Sequence, residues 1–311
     1  MTFFPRPILT NGATHSAQQF RMLVRDLARG AEGITQGDDL KVTQRATPGG
    51  GVLLGDGSGV IKGRDNVFQG HYAFCNIGSV DVPIAPTGAS PRTDMIIVRV
   101  EDPEYGYSHN PLTEDIVFPQ VISNVSSSAT SIPDGRTGIP LARITIPAST
   151  ATITNAMITD LRKIANPRRD RRQYTQSPTA DSALIGSSTT YSYFSTAAGW
   201  NIDVPDWATT ARIRVDVCPV RFSVQDFFGN LRATFGASLT LQATGLDDNQ
   251  GTVVRKIPAI CADTLTIPSA YRGTTQLLRA QANGNSGNAG RINVATSTTL
   301  IGDVEFEEAP R

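Results

Sequence analysis

A chain of 311 residues with 28 basic and 28 acidic side chains carries no net charge, and only 18% of its residues are charged. The length accommodates two separate cores, and the charge balance gives no reason to expect nucleic-acid binding or attraction to an anionic membrane surface. No run of about 18 apolar residues is present, so membrane insertion by a helix is not expected. Residues 1–7 lack the basic-then-apolar order of a secretory signal. Abundant Thr, Ser, Gly, Ala, Val and Ile suit pleated sheets joined by tight turns.

In chain order, residues 17–29 predict the one helix. Thr14 or Ser16 caps it, Phe20, Val24 and Leu27 share a face, and Gly30 stops it. Strands are then predicted over 40–44, 51–54, 60–62, 71–75 and 79–84, at the spacing of sandwiches and barrels. Gly49 to Gly59 is glycine-rich, but neither Gly-Lys-Ser nor a helix follows. It reads as a hairpin turning on Asp56-Gly57 and Ser58-Gly59, not as a phosphate loop. Residues 95–100 are apolar almost throughout and need cover on both faces. A polar loop at 123–130, a strand at 138–146 and a closing segment at 158–164 complete a first domain, 1–165.

Residues 166–180 change character and read as a basic, proline-containing linker. Arg168, Arg169, Arg171 and Arg172 surround the single acid Asp170. Phosphate binding would favour such a cluster, yet interleaved aromatics and a groove-reading helix are missing. The structural reading is a linker that docks on acidic neighbours, or a solvated connection between the domains. From 181 to 311 strands are predicted over 211–217, 237–243, 252–259, 263–268, 275–280, 291–296 and 299–305. The fold class is therefore mainly β: a β-rich N-terminal domain with one short helix, then a C-terminal sandwich of jelly-roll type.

Chemistry-bearing motifs are sparse. His15, His71 and His109 stand apart, without zinc spacing, and no Gly-x-Ser-x-Gly elbow marks a nucleophile. Cys75, Cys218 and Cys261 are odd in number and sit in strand-like settings, so they read as buried reduced thiols of a protein made in a reducing cytoplasm. Asp247 and Asp248 between glycines could offer oxygens to Ca²⁺, but lack EF-hand spacing and read as a turn. No catalytic residue, metal or cofactor is assigned. Among the aromatics, most read as core, with Trp207 as the large plug of the sandwich. Tyr191, Tyr193 and the Phe227-Phe228 pair are the candidates for glycan or host contact, because exposed rings stack on sugar faces.

Several short phrases follow one another in a definite order. Residues 11–17 enter the helix, and Gln69-Gly70-His71-Tyr72 follows the glycine-rich stretch. Pro91-Arg92-Thr93-Asp94 leads the apolar strand, and Ile158-Thr159-Asp160-Leu161-Arg162 closes the domain. This order resembles the N-terminal half of minor tail or baseplate proteins of long-tailed bacteriophages, especially those of actinobacteria. The phrase Val204-Pro205-Asp206-Trp207-Ala208 is similar to the opening of their C-terminal sandwiches. The resemblance implies a structural, non-enzymatic virion protein at the tail tip, made in the host cytoplasm. Its first half would dock on other tail or baseplate proteins, and its second would meet host cell-surface glycan. Self-association as a homotrimer is implied by the symmetry of such tails. A pure scaffold, and a wall-glycan hydrolase or esterase, are the alternatives weighed.

Overall fold

The computed structural model describes residues 10–194 and 199–311, so residues 1–7, read above for a secretory signal, lie outside the described residues. The chain folds into two compact units. The first comprises Met1–Pro167 together with Ala309–Arg311, and the second Arg168–Glu308.

The first unit holds α1 (Ala17–Leu27), β1 (Gly33–Ile34), β2 (Val42–Gly49), β3 (Gly51–Leu54), β4 (Gly57–Lys62), β5 (His71–Asn76), β6 (Val80–Pro83), β7 (Arg92–Val100), β8 (Val117–Ile122), β9 (Gly138–Ile146) and β10 (Ile158–Asp160). They make three antiparallel sheets, ordered β1-β4-β5, β2-β3-β6 and β10-β9-β7-β8. Ile34, Leu40, Val52, Ile61, Ile96, Val98, Leu141 and Ile144 meet in one core. β7 is indeed covered on both faces: Ile96 and Val98 enter that core, while Met95 and Ile97 enter a second cluster with Val125.

Three expectations need correction here. The glycine-rich stretch is not a hairpin at Asp56-Gly57 and Ser58-Gly59. The tight reversal comes earlier, between β2 and β3 at Gly49 to Gly51, and β3 and β4 belong to different sheets. Gly57 is needed because the chain passes Asp39 closely: its φ is +138°, and an added Cβ would lie 2.6 Å from the Asp39 Cα. Strand β8 is missed by the sequence reading because Pro119 interrupts it, which only an edge strand tolerates. Cys75 is exposed and Cys218 half-buried, since β5 turns Ala73 and Cys75 outward; Cys261 alone is fully buried, and burial pushes its thiol up to about 12.

Helix α1 is the fourth surprise. Its cap is Ser16, whose hydroxyl accepts from the Gln19 N–H while the Gln19 side chain accepts from the Ser16 N–H. Arg29 and Gly30, at φ 53° and 74°, end it. Its buried residues, however, are Gln19 and Arg21, and not the predicted apolar face: Phe20 and Leu27 are exposed. Arg21 explains the inversion. Its Nε donates to the Gln69 carbonyl at 2.8 Å, one Nη pairs with Asp102 at 3.3 Å, and the other with Glu104 at 2.6 Å and the Tyr105 hydroxyl at 3.1 Å. Tyr72 donates to Asp102 at 2.7 Å, and burial together with that bond pushes its phenol well up. Charge-assisted bonds in a shielded place outweigh the pull of the apolar stripe.

The second unit holds β11 (Arg169–Gln176), β12 (Ser192–Tyr193), β13 (Gly199–Asp203), β14 (Thr210–Ser223), β15 (Phe227–Phe235), β16 (Leu239–Thr240), β17 (Thr244–Asp248), β18 (Arg255–Thr266), β19 (Thr275–Gly284), β20 (Arg291–Asn293) and β21 (Thr299–Glu307). One sheet runs β11-β21-β14-β18, and the other β13-β19-β15-β17, with β12, β16 and β20 as short additions. Counting these eight long strands along the chain, the orders are 1-8-3-6 and 2-7-4-5. Every link between consecutive strands of this set crosses from sheet to sheet except that from β15 to β17, which pair side by side, and this order defines a jelly roll. Phe227, Phe235, Phe306, Val215, Leu231 and Leu278 fill the space between the sheets.

The predicted linker is corrected by this topology. Residues 169–176 form the first strand, paired over its whole length with β21. None of its residues is buried, and charge crowds its start, as befits an edge that must not recruit foreign strands. Charge is what hides it from a sequence reading. The predicted 237–243 strand shrinks to Leu239–Thr240, and 252–259 with 263–268 fuse into β18. Trp200, facing Tyr174 at 6.4 Å, is the deeply buried plug, whereas Trp207 sits half-covered under the Arg168 guanidinium.

Candidate functional site

The outer face of the second sheet gathers the polar chemistry that the sequence scatters. On β15, Phe228, Asn230, Arg232 and Thr234 alternate away from the core, because Phe227, Gly229, Leu231, Ala233 and Phe235 point into it. Register sets Asn230 beside Asn283, Arg232 beside Gln281, and Thr234 beside Arg279 on β19. Short strand β12 then pairs with β19, with Tyr193 opposite Gln281.

Both candidate tyrosines come to rest on this face. The Arg232 guanidinium carbon lies 3.6 Å from the Tyr191 ring centroid, and that of Arg279 lies 4.1 Å from the Tyr193 centroid. Cation–π contact holds each ring by one side. The Tyr193 hydroxyl bonds Thr234 at 3.1 Å, and the residue stays 42% exposed. Gln281, its amide oxygen turned toward Arg232, accepts from Nε at 2.8 Å and Nη2 at 3.1 Å. Asn230 donates to Asn283 and Asn285, and Asn283 donates to the Thr189 carbonyl. The result is a flat arrangement of ring, guanidinium and amide groups, with every ring restrained before any ligand arrives.

Phe227 and Phe228 part company. Phe227 is fully buried, edge-on to Phe222 at 5.6 Å, so its place among contact residues is withdrawn; an alternating strand must send adjacent rings to opposite faces. Phe228 is 50% exposed beside Asp247, at the rim of the same face. Asn230, Arg232, Arg279 and Gln281 were not singled out from sequence. The signal available was the alternation of Phe227 to Phe235, which glycine and alanine at inward positions weaken.

The basic cluster faces its own unit's acids. Arg168 pairs with Glu308, Arg169 with Glu307, Arg171 with Asp303, and Arg172 with Asp170. Hydrogen bonding to Arg171 holds the Asp303 carboxyl below the ordinary range. A depressed carboxylate stabilises the fold above its unfolded value of about 4 and loses that contribution as pH falls through its folded value. Acidification from pH 5 to pH 2.5 is therefore expected to lower amide protection on β11 more than on β14, with Arg171→Gln abolishing the difference. Equal protection at both pH values would refute it.

Asp247 and Asp248 do not form a loop. They end strand β17, and Asp248 pairs with Arg255, whose Nε lies 2.6 Å away. Among the described residues, no three His, Cys, Asp or Glu side chains converge on a metal-sized space. His71 is buried and His109 pairs with Glu101 at 2.9 Å.

The phrases that carry the resemblance along the first unit form internal clamps. Arg92 donates to Asp94 at 2.8 and 3.0 Å and to the Ala85 carbonyl at 2.5 Å, and Asp94 is wholly buried. Arg162 donates to Asp160, to the Asp39 carbonyl at 2.6 Å and to a main-chain oxygen of Arg311 at 2.7 Å. Gln69 and Tyr72 belong to the Arg21 network.

No family model and no curated protein matches this sequence. Among solved structures, infectious bursal disease virus, Gx strain, is similar at 11% identity over 90% of this chain and 80% of that one, with a TM-score of 0.25. The VP2 subviral particle of infectious bursal disease virus gives 14% identity over 93% and 86%, with a TM-score of 0.22. An insecticidal delta-endotoxin, Cry8Ea1 from Bacillus thuringiensis, gives 9% over 89% and 54%, at 0.20. Superpositions this loose carry no argument, and the jelly roll stands on its own strand order.

Proposed function

We propose that the chain is a structural protein of a virus particle, seated at the tail tip or baseplate of a long-tailed bacteriophage. The unit built from residues 1–167 docks on other tail proteins, copies associate as a trimer, and the jelly roll meets host cell-surface glycan. Catalysis is no part of this reading. The observation that carries the adhesive role is the restrained pair Tyr191 and Tyr193 on an outer sheet face, with Arg232, Gln281, Asn230 and Asn283 around them. Sugars offer a C–H face for rings and hydroxyls for amides, so a pre-ordered platform of both kinds binds them at little entropic cost.

The test is retention of the full-length protein on purified host wall glycan. Tyr193→Ala with Phe228→Ala should weaken retention at least about tenfold, equal to about 1.4 kcal/mol, without altering the unfolding midpoint. Equal retention of the double variant removes this face from the reading. No retention of the parent protein leaves a scaffold that binds only virion proteins. Release of reducing sugar or acetate would replace the whole reading by an enzyme.

A further inference from the structure

The two sheets of the jelly roll treat their outward arginines differently. On the first, Arg169, Arg171, Arg212 and Arg214 lie beside the carboxylates of Glu307, Asp303, Glu307 and Asp216 in turn. On the second, the guanidinium carbons of Arg232 and Arg279 lie over tyrosine rings, 3.6 and 4.1 Å from the centroids. Register sets Arg232 beside Gln281 and Arg279 beside Thr234. The two cations therefore share one diagonal of the β15–β19 pair, about 7–8 Å apart along the backbone. Like charges at that spacing repel, and a ring face offsets only part of the cost. Among the described residues, the acids that this sheet turns outward stand at its ends. Asp203 accepts from Thr275, and Asp247 lies opposite Phe228, each four residues along the strand from the nearer arginine. At about 3.3 Å per residue that is about 13 Å, beyond effective screening of either cation.

We propose that the glycan taken by this face is acidic: a sugar polymer bearing carboxylate or phosphate groups, whose oxyanions neutralise Arg232 and Arg279 while Tyr193 stacks on an adjoining sugar ring. This deepens the adhesive reading above and rests on it. Charge selects the occupant. The chain is neutral as a whole, so a stripe of two cations is a local choice of this sheet. A neutral glycan would leave their repulsion in place, and an oxyanion between them removes it. Arg232 is the sharper case. Its Nε and Nη2 donate to the Gln281 amide oxygen, a neutral acceptor, and its plane rests on Tyr191. A guanidinium held in this way loses little freedom on binding, and its planar donors match the paired oxygens of a carboxylate or phosphate.

Retention of the full-length protein on purified host wall glycan, before and after the glycan is chemically neutralised, tests the assignment. Carbodiimide and borohydride reduce carboxylates, and hydrogen fluoride removes phosphates. One treatment should lower retention at least about tenfold, and which one does so identifies the acid. On untreated glycan, retention should fall by a similar factor between about 0.05 M and about 0.5 M sodium chloride. Arg232→Gln should bind at least about tenfold more weakly at the lower salt and respond less to salt, whereas Arg232→Lys keeps the parent's salt response. Weaker binding with the salt response intact would make Arg232 a mere prop for Tyr191 and overturns the assignment. Should Arg232→Gln fail to fold, the parent's response to the treatments and to salt decides alone. Retention unmoved by both treatments, or by salt, overturns the acidic assignment; if Tyr193→Ala with Phe228→Ala still weakens it, the glycan reading stands. A parent that binds no wall glycan overturns both.

Discussion

Replacing Arg162 with alanine is expected to cost about 1–3 kcal/mol, all of it in the first unit. The guanidinium has no solvent exposure, and its partners come from three places in the sequence: Asp160, the carbonyls of Gly37 and Asp39, and a main-chain oxygen of Arg311. Asp160, 45% exposed, can rehydrate. The Gly37 carbonyl keeps the Arg311 N–H at 2.8 Å, but the half-buried Asp39 carbonyl loses its 2.6 Å donor, and an orphaned acceptor costs about 1–3 kcal/mol. Urea unfolding separates the outcome cleanly, because both tryptophans of the chain, Trp200 and Trp207, lie in the second unit. Tryptophan fluorescence should keep its midpoint while the far-ultraviolet transition of the first unit moves down. A loss under 1 kcal/mol, or a matching fall in the fluorescence midpoint, would show that the clamp does not act as described.

Phe235→Ala should do the reverse. The side chain is fully buried and touches two rings: Tyr271 edge-on at 6.1 Å, and Phe306 tilted at 6.4 Å. These rings come from β15, from the turn before β19, and from β21, so one side chain ties both sheets. Removing a core phenylalanine costs about 3–5 kcal/mol through lost transfer energy and the cavity left behind. Tyr271 would lose its stack, and with it the alignment of the hydroxyl that accepts from the Ser238 N–H at 2.8 Å. The fluorescence midpoint should fall and the first unit's transition should stay. An unchanged fluorescence midpoint would mean that the gap between the sheets closes over without loss.

Much of the β architecture is legible from residue order. The run from Met95 to Val100 announces a doubly covered strand, and the alternation of Ala211 to Val217 announces half of β14. What escaped has physical causes. β11 hides behind four consecutive charged residues because an edge strand needs no buried side chain. β15 hides because glycine and alanine occupy inward positions that pattern reading expects to be large. The burial of Arg21 in place of Phe20 could not be foreseen, since its acids lie more than eighty residues away. For the candidate face, Tyr191 and Tyr193 are legible as aromatics near a strand start. Their arginine supports are not, because only strand register brings Arg232 and Arg279 beneath them.

The pairing of Arg162 with Arg311 spans 149 residues of sequence, and the whole jelly roll is spliced between them. On a ribosome, the first unit emerges early yet stays unfinished, its buried cation still waiting for a carbonyl. The inserted sandwich, by contrast, has every strand by residue 307 and can settle by itself. Such distant closure slows folding. The nascent chain therefore completes its later half first, and the first unit closes only after synthesis has reached Arg311.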